Sequence, residues 1–520
     1  MDKKNEKQNT ESVNADLEAR PPVVVIMGHI DHGKSTLLDY IRNTNVVGKE
    51  AGGITQRISA YEVEFLPADK PKDQKSEKIT FIDTPGHESF SKMRERGAQI
   101  ADIAILIVSA EDGVKTQTIE AWKTIVANNM PCIVAINKID KPGANLEKTK
   151  TELAENEIYL ENYGGKIPFV EISAKTGAGI DNLLSLISIL AEMENFTADK
   201  NLPASGFVLE ANLDSKRGTE ATLIIKNGTL KKGMTLAVED SLCSTSIMEN
   251  FQGKAIAQAS FSSPVRLLGF SKLPKIGAEF ASFKNKKDAE EYAELKKKDK
   301  ASQKNKTTST LPSQINLENK KIIPIVLKAD ISGSLEAIEK EIKKIKKENA
   351  EFRIIQRGVG PISESDIKTI SGNEEVLVIG FNVKVDKNAV EVANKRNIKI
   401  SLFDIIYKMT EWLEVELEAR RPKIETIETT GKAKVLKVFS RTKERQVVGA
   451  KTLKGRMILD KVVKIIRREF EIGRGKIVNL EKAKTKVKEV EEGTEFGMLI
   501  ESKIEIVEGD IIESFNITQR

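Results

Sequence analysis

The sequence predicts a multidomain α/β protein with β-barrels: a phosphate-loop domain on a mostly parallel sheet, a small β-barrel, a second α/β domain, a helix and a terminal β-rich segment. Three observations predict it. The 520 residues exceed what one hydrophobic core fills, since cores stop growing near about 250–300 residues. Up to Phe196, apolar runs of strand length alternate with amphipathic stretches of helix length, the pattern of a parallel sheet covered on both faces. From Leu202 the texture changes to short alternating runs separated by turn residues, as in barrels.

Residues 1–20 are polar and acidic and are expected to be a disordered tail. In the first domain, 21–197, "PPVVVIMG", "KITFID", "IAILIVSA", "CIVAINKID" and "PFVEISA" read as buried strands, and "KSTLLDYIRN", "TQTIEAWKTIVANN" and "IDNLLSLISILAEME" as helices between them. The barrel, 202–283, takes its turns at Asn227-Gly228 and Lys231-Lys232-Gly233. Residues 284–320, rich in Lys, Glu, Ser and Thr, read as a charged linker, helical in its first part. "IIPIVLKADISGSLEAIEKEIKKI" then opens an α/β domain, 321–404, where Ser363 and Asp366 form an acidic variant of a capping box. "LFDIIYKMTEWLEVELEARR" supports one longer helix, set at 405–428, and β texture fills 430–520. A short echo between "IKNGTLKKGMTL" and "GAKTLKGRMIL" fits either two related barrels or chance.

Composition narrows the function classes. Charged residues at 31% and aromatics at 5% suit a foldable, charge-rich chain, and no apolar run reaches the 18 residues a membrane helix needs. The start lacks the pattern of a signal or transit peptide, so a cytoplasmic location with no membrane partner is expected. Cys132 and Cys243 lie too far apart for a metal motif and read as buried thiols. Residues 430–520 carry 21 Lys/Arg against 14 Asp/Glu, which suits a phosphate-bearing partner or a solvated basic surface equally.

Gly28-His29-Ile30-Asp31-His32-Gly33-Lys34-Ser35 fits G-x-x-x-x-G-K-[ST], after an apolar strand and before a helix, with Thr36 next in line. Backbone N–H groups and the helix start form a positive nest for phosphates, Lys34 reaches the β/γ oxygens, and the Ser35 hydroxyl suits Mg²⁺. "FIDTPGH" follows, with Asp83 as a carboxylate acting on Mg²⁺ through water, then Thr84, Pro85 and Gly86, whose N–H suits the γ-phosphate. In "NKID", Asn137, Lys138 and Asp140 form the base site. A buried Asp140 accepts from the N1–H and amine of guanine and rejects adenine by about 10⁴-fold or more. "SAKTG" adds Ser173, Ala174 and Lys175, the Ala174 N–H facing guanine O6. The ligand read from these four motifs is GTP with Mg²⁺. "EAGGITQR" supplies Thr55, a metal ligand on a mobile loop that responds to the γ-phosphate. Of the three histidines, His87 follows Gly86 and could orient the attacking water, whereas His29 and His32 read as loop-shaping residues.

"GHIDHGKST", "DTPGH" and "NKID" resemble the translational GTPases, and "EAGGITQRISAY", "RGAQIADIAILIVSAEDGVKTQTIEA", "KADISGSLEAI" and "RGVGPISESD" resemble bacterial translation initiation factor two, from Pro21 to about Thr410. The resemblance implies a G domain, a β-barrel, an α/β/α sandwich, a connecting helix and a terminal barrel. It implies ribosome-stimulated GTP hydrolysis on joining of the small and large ribosomal subunits, with ribosomal RNA placing His87, and binding of formylmethionyl initiator tRNA by the terminal barrel. A monomer off the ribosome is expected. By the same resemblance Ile30 and Ile54 match an apolar gate before His87, and Asp31 an acidic residue beside a cation. The family's variable N-terminal region corresponds to about twenty residues before Pro21. Gly449, Lys484, Glu495 and Gly497 match the family's tRNA pocket, but Ala450 and Phe496 replace its usual cysteines, and Glu481, Lys482 and Ala483 its arginines and aromatic. These departures motivate an expectation of relaxed preference for the formyl group. Two rival readings are an elongation-type tRNA carrier and a GTP-gated scaffold; intact Lys34, Thr55, Asp83 and His87 argue against the second.

Overall fold

The computed structural model describes residues 17–42, 55–66, 76–307 except 215, 320–422 except 348 and 371–374, and 425–519 except 443 and 484. It divides into two units, Met1–Arg420 and Arg421–Arg520.

The first sheet of unit one has six strands: β2 (Val23–Gly28), β3 (Ser59–Phe65), β4 (Glu77–Asp83), β5 (Ile103–Ser109), β6 (Cys132–Asn137) and β7 (Phe169–Glu171), in the order β3-β4-β2-β5-β6-β7. All neighbours run parallel except β3, an antiparallel edge strand that the sequence reading did not include. β2 and β5 are buried at every position, as expected of central strands with helices on both faces. Those helices are α1 (Lys34–Arg42), α2 (Ser91–Ile100), α3 (Thr116–Ala127), α4 (Leu146–Glu155) and α5 (Ile180–Glu194). Disorder does not extend through residue 20: β1 (Leu17–Ala19) pairs with β8 (Thr197–Asp199). Arg20 is ion-paired with Asp102 at 2.6 Å, and Lys226 of the following barrel meets the same carboxylate at 2.5 Å.

The barrel region forms a seven-stranded antiparallel sheet and a two-stranded one around a shared core, with Gly228 and Gly233 at positive φ in the expected turns. The supposed linker begins as a helix, Lys286–Thr307, whose Ala289 and Ala293 are buried, so its first part is a packed element. The third region has a five-stranded sheet, parallel except at Lys346–Lys347, with helices on both faces and a core on each side. Its Ser363–Asp366 capping box is present.

The helix placed at 405–428 spans only Ile406–Arg420. Its apolar side, Ile406, Met409, Leu413 and Leu417, is buried in the core of the third sheet, which makes it a layer of that domain. Phe90, the residue before α2, and Met93 within it enter the same core. In unit two the first strand begins at Glu425, five residues before the predicted 430. Its seven-stranded antiparallel sheet closes because Val462–Arg467 pairs with both Ile511–Gln519 and Phe470–Lys482. Among the described residues, no helix is long and apolar enough to cross a membrane.

Candidate functional site

β2 delivers the phosphate loop to its carboxyl end, where α1 begins. Two glycines make the loop possible. Gly28 has φ +149° and a Cβ there would lie 2.4 Å from Ile107 O; Gly33 has φ +92° and a Cβ would lie 2.2 Å from Asn137 Nδ2. The Lys34 ammonium folds back to donate to Gly28 O at 3.1 Å and His29 O at 2.6 Å. With the residue only 6% exposed, burial pushes its pKa down to about 8, against the pull of Asp83. A Cβ on Gly86 would lie 2.6 Å from Lys34 Nζ, so the "DTPGH" loop crosses the ammonium at its one residue without a side chain. Thr84 anchors that loop by donating to Ile26 O at 2.8 Å.

The Ser35 and Thr55 hydroxyls meet at 2.7 Å. Two hydroxyl oxygens, with Asp83 on the adjoining strand end, are the hard donors Mg²⁺ selects, so these residues fit that ion. Among the described residues no cluster of His, Cys, Asp or Glu could hold a metal.

Asn137 joins the phosphate and base loops. Its Nδ2 donates to His32 O at 2.8 Å, and its Oδ1 accepts from Ala174 N at 2.9 Å. Ser173 Oγ donates to Asp140 Oδ1 at 2.7 Å, a bond that holds this carboxyl below the usual carboxylate range. Asp140 is exposed, not buried as the discrimination argument took it, because the turn after β6 carries it clear of the sheet. Lys138, at φ +66°, pairs with Asp112 at 3.0 Å, while Asp31, Thr36 and Lys175 are exposed. His32 is buried against Ser109, whose N–H it accepts at 3.3 Å, and burial pushes its pKa down to about 3. His29 packs at 5.0 Å, ring centroid to ring centroid, against it. His32 is thus a buried packing residue, while His29 is partly exposed.

His87 accepts the Ser89 N–H on Nδ1 at 3.0 Å and lies perpendicular to Tyr407, 4.3 Å between centroids. Burial lowers its pKa, so the ring is neutral at pH 7. Sequence reasoning missed Arg94 of α2. Its guanidinium donates to Gly86 O at 3.0 Å, His87 O at 2.5 Å and Pro85 O at 3.4 Å, and its other arm pairs with Glu120 at 2.8 Å. The only signal was an arginine on the inward face of "SKMRERGAQI". Gln56 was also missed: it donates to Asp404 O at 3.0 Å and accepts from Ile406 N at 3.3 Å, while Arg57 pairs with Asp330. Ile30 N donates to Gln117 at 3.0 Å; Ile54, its proposed partner in the gate, lies outside the described residues.

In unit two, Gly449 pairs with Gly497, and Gly497 with Glu481. Glu495 is exposed, and Lys484 lies outside the described residues. Ala450 and Phe496 pair with each other and are buried in the barrel core, on the face opposite the two glycines. The two departures expected from the resemblance therefore sit in the core and not on the glycine face.

Comparison with known proteins places these parts. Residues 20–193 match the elongation factor Tu GTP binding domain, 203–283 elongation factor G domain 2, and 297–414 translation-initiation factor 2. Translation initiation factor IF-2 of Caldanaerobacter subterraneus subsp. tengcongensis is 40% identical over 98% of this chain and 72% of its own length. That of Bacillus cereus (strain G9842) is 41% identical over 99% and 73%. The crystal structure of GDP-bound aIF5B from Aeropyrum pernix is 28% identical over 96% of this chain and 92% of that one, with a TM-score of 0.43. With a phosphate loop, a guanine-type base loop and these relatives along almost its whole length, the chain belongs to the translation initiation factor IF-2 family, the GTPases of translation initiation.

Proposed function

We propose that the chain brings formylmethionyl initiator tRNA to the small ribosomal subunit in the cytoplasm, as a monomer off the ribosome, and hydrolyses GTP when the large subunit joins. The observation that carries the hydrolytic part is the meeting of Ser35 and Thr55 beside Lys34 and Gly86, because these groups come from loops far apart in sequence.

Residues 28–36 cradle the phosphates, Gly86 offers its N–H to the γ-phosphate, and Asn137, Lys138, Asp140, Ser173, Ala174 and Lys175 take the guanine. Base binding itself covers the exposed Asp140, and discrimination against adenine follows from that covering. Ser35 and Thr55, with Asp83 through water, would hold Mg²⁺, which neutralises charge on the phosphates. Water attacks the γ-phosphorus, the bond to the bridging oxygen breaks, and GDP and phosphate leave. His87 accepts on Nδ1, so its proton sits on Nε2, where it orients the water's oxygen without removing a proton. Ribosomal RNA would complete that placement. On the terminal barrel, the Gly449–Gly497 pair with exposed Glu495 is the tRNA-facing region, and Lys484 belongs with it.

The test is GTP turnover by parent and His87→Ala, with and without both subunits. The expected result is strong stimulation of the parent, near-parental nucleotide binding by the variant and a loss of about 10²-fold or more in stimulated hydrolysis. Equal stimulated turnover would remove His87 from the mechanism.

A further inference from the structure

We infer that Tyr407 is a positioning residue for the hydrolysis: it holds the His87 ring on the third domain, and hydrolysis requires that ring to leave it. The inference rests on the water-orienting role of His87 and adds the element that restrains it.

The backbone around His87 is already fixed. Arg94 takes the carbonyls of Gly86 and His87, and Ser89 N–H occupies Nδ1. The imidazole is pinned through Nδ1 alone, so the rest of the ring takes its place from what it packs on, and it stands against Tyr407 with the ring planes at 87°. Phe90 adds a second, more distant edge contact at 6.1 Å, with the ring planes at 70°. Edge-to-face pairs of this kind are favourable beyond the area they bury.

Tyr407 is a firm support. It stands in the first turn of the Ile406–Arg420 helix, whose Ile406, Met409, Leu413 and Leu417 are almost wholly buried in the third sheet's core. The start of that helix is tied in turn to the other switch loop, since Gln56, next to the metal-site Thr55, bonds both Asp404 O and Ile406 N. Arg57 adds an ion pair to Asp330. One helical turn thus meets the histidine of one nucleotide-sensing loop and the residue beside the metal hydroxyl of the other. A rearrangement at Thr55 reaches Gln56 directly, and through it the turn that carries Tyr407. The charged groups around His87 are Glu88 beside it, Arg94 on α2, and Glu341 and Lys344 on the Ser332–Lys344 helix.

The experiment compares parent, Tyr407→Ala, Tyr407→Phe, His87→Ala and the Tyr407→Ala/His87→Ala double variant for GTP turnover, with and without both subunits. Freeing the ring should raise ribosome-free turnover of Tyr407→Ala by about 2- to 10-fold, the range an edge-to-face pair supports. Tyr407→Phe keeps the ring and should restore parental turnover, and the double variant should show no rise. A structural defect would not give that pattern. With only three histidines in the chain, imidazole resonances are assignable, and the His87 titration should move up toward its ordinary 6.5 in Tyr407→Ala while His29 and His32 stay in place. Tyr407 is 41% exposed, so its truncation leaves no buried cavity to unfold the domain. Ribosome-free turnover at or below the parent's, with His87→Ala still defective on ribosomes, overturns the role of Tyr407 and leaves that of His87 standing. A rise that persists in the double variant also overturns it. Full stimulated turnover by His87→Ala overturns both.

Discussion

Replacing Arg94 by methionine keeps the length of the side chain and removes the guanidinium that closes the "DTPGH" loop. Arg94 is 2% exposed and donates to Gly86 O and His87 O at 3.0 and 2.5 Å while its other arm pairs with Glu120. A hydrogen bond to a charged donor contributes about 1.5–3 kcal/mol, so the two short ones together hold the loop by about 3–5 kcal/mol, allowing for shared geometry. Glu120 is partly solvated and tolerates the loss; the carbonyls must turn to water, taking Gly86 and His87 with them. Lysine does not substitute, because one ammonium on a flexible stem cannot span the loop carbonyls and Glu120 as a planar fork does. Displacing a positioning loop by about 1 Å costs on the order of 10²-fold in rate. Single-turnover GTP hydrolysis with both subunits should therefore fall about 10²-fold in Arg94→Met and nearly as far in Arg94→Lys, and the amides of residues 84 and 86–90 should exchange faster with deuterium. GDP affinity should stay within about threefold, since Lys34, Asn137 and Asp140 are untouched and GDP lacks the γ-phosphate that Gly86 meets. Parental hydrolysis by Arg94→Met would refute the claim that this clamp sets the position of His87.

Two further outcomes follow from the same site. Asn137→Ala leaves His32 O and Ala174 N, both buried, without their partner, a cost of about 1–3 kcal/mol each, so GDP and GTP should both dissociate about 10²-fold faster by stopped-flow fluorescence; loss of only one nucleotide would contradict the view that Asn137 joins base and phosphate loops. Lys34 has a folded pKa of about 8, below the ordinary 10.5, so between those values the unfolded chain binds more protons. Stability of the nucleotide-free protein should rise with pH across that window, by up to about 3 kcal/mol, as the cost of burying the charge is relieved, and the Lys34 contribution should not vary with pH below it, where that cost is complete. GTP needs the charged ammonium, so binding at pH 9 should take up a proton, measured by calorimetry in buffers of different ionisation heat; no uptake would show that Lys34 stays charged.

Much of the first sheet and of the nucleotide loops was legible because each depends on local order: a buried strand reads as an apolar run, and a phosphate loop must follow one and precede a helix. β3 was not legible. Its "SAYEVEF" has a polar face and lies at an edge, so no continuous apolar run marks it. The disorder assigned to Met1–Arg20 failed at Leu17–Ala19, where three backbone pairs to Thr197–Asp199 and the Arg20–Asp102 ion pair supply order that composition does not encode. The Ile406–Arg420 helix shows the same limit. Its length and periodicity were visible, but whether its apolar stripe faced a partner in the third domain depended on residues more than fifty positions away, such as Ile338 and Leu327.

The site divides along that line. The residues proposed to touch a nucleotide sit in contiguous motifs and were read from their spacing, whereas residues that hold those motifs in place do not. Arg94 reaches back seven to nine residues from a helix, and Gln56 reaches a turn 348 residues on. Neither side chain is of a type that signals its target, since an arginine and a glutamine bond any carbonyl within reach. Their targets are backbone atoms, which are the same at every position in a sequence. The motifs read as binding parts are therefore written in the sequence, and the residues that restrain them, Arg94, Gln56 and Tyr407, become visible only when the start of the Ile406–Arg420 helix meets His87 of one loop and Gln56 of the other.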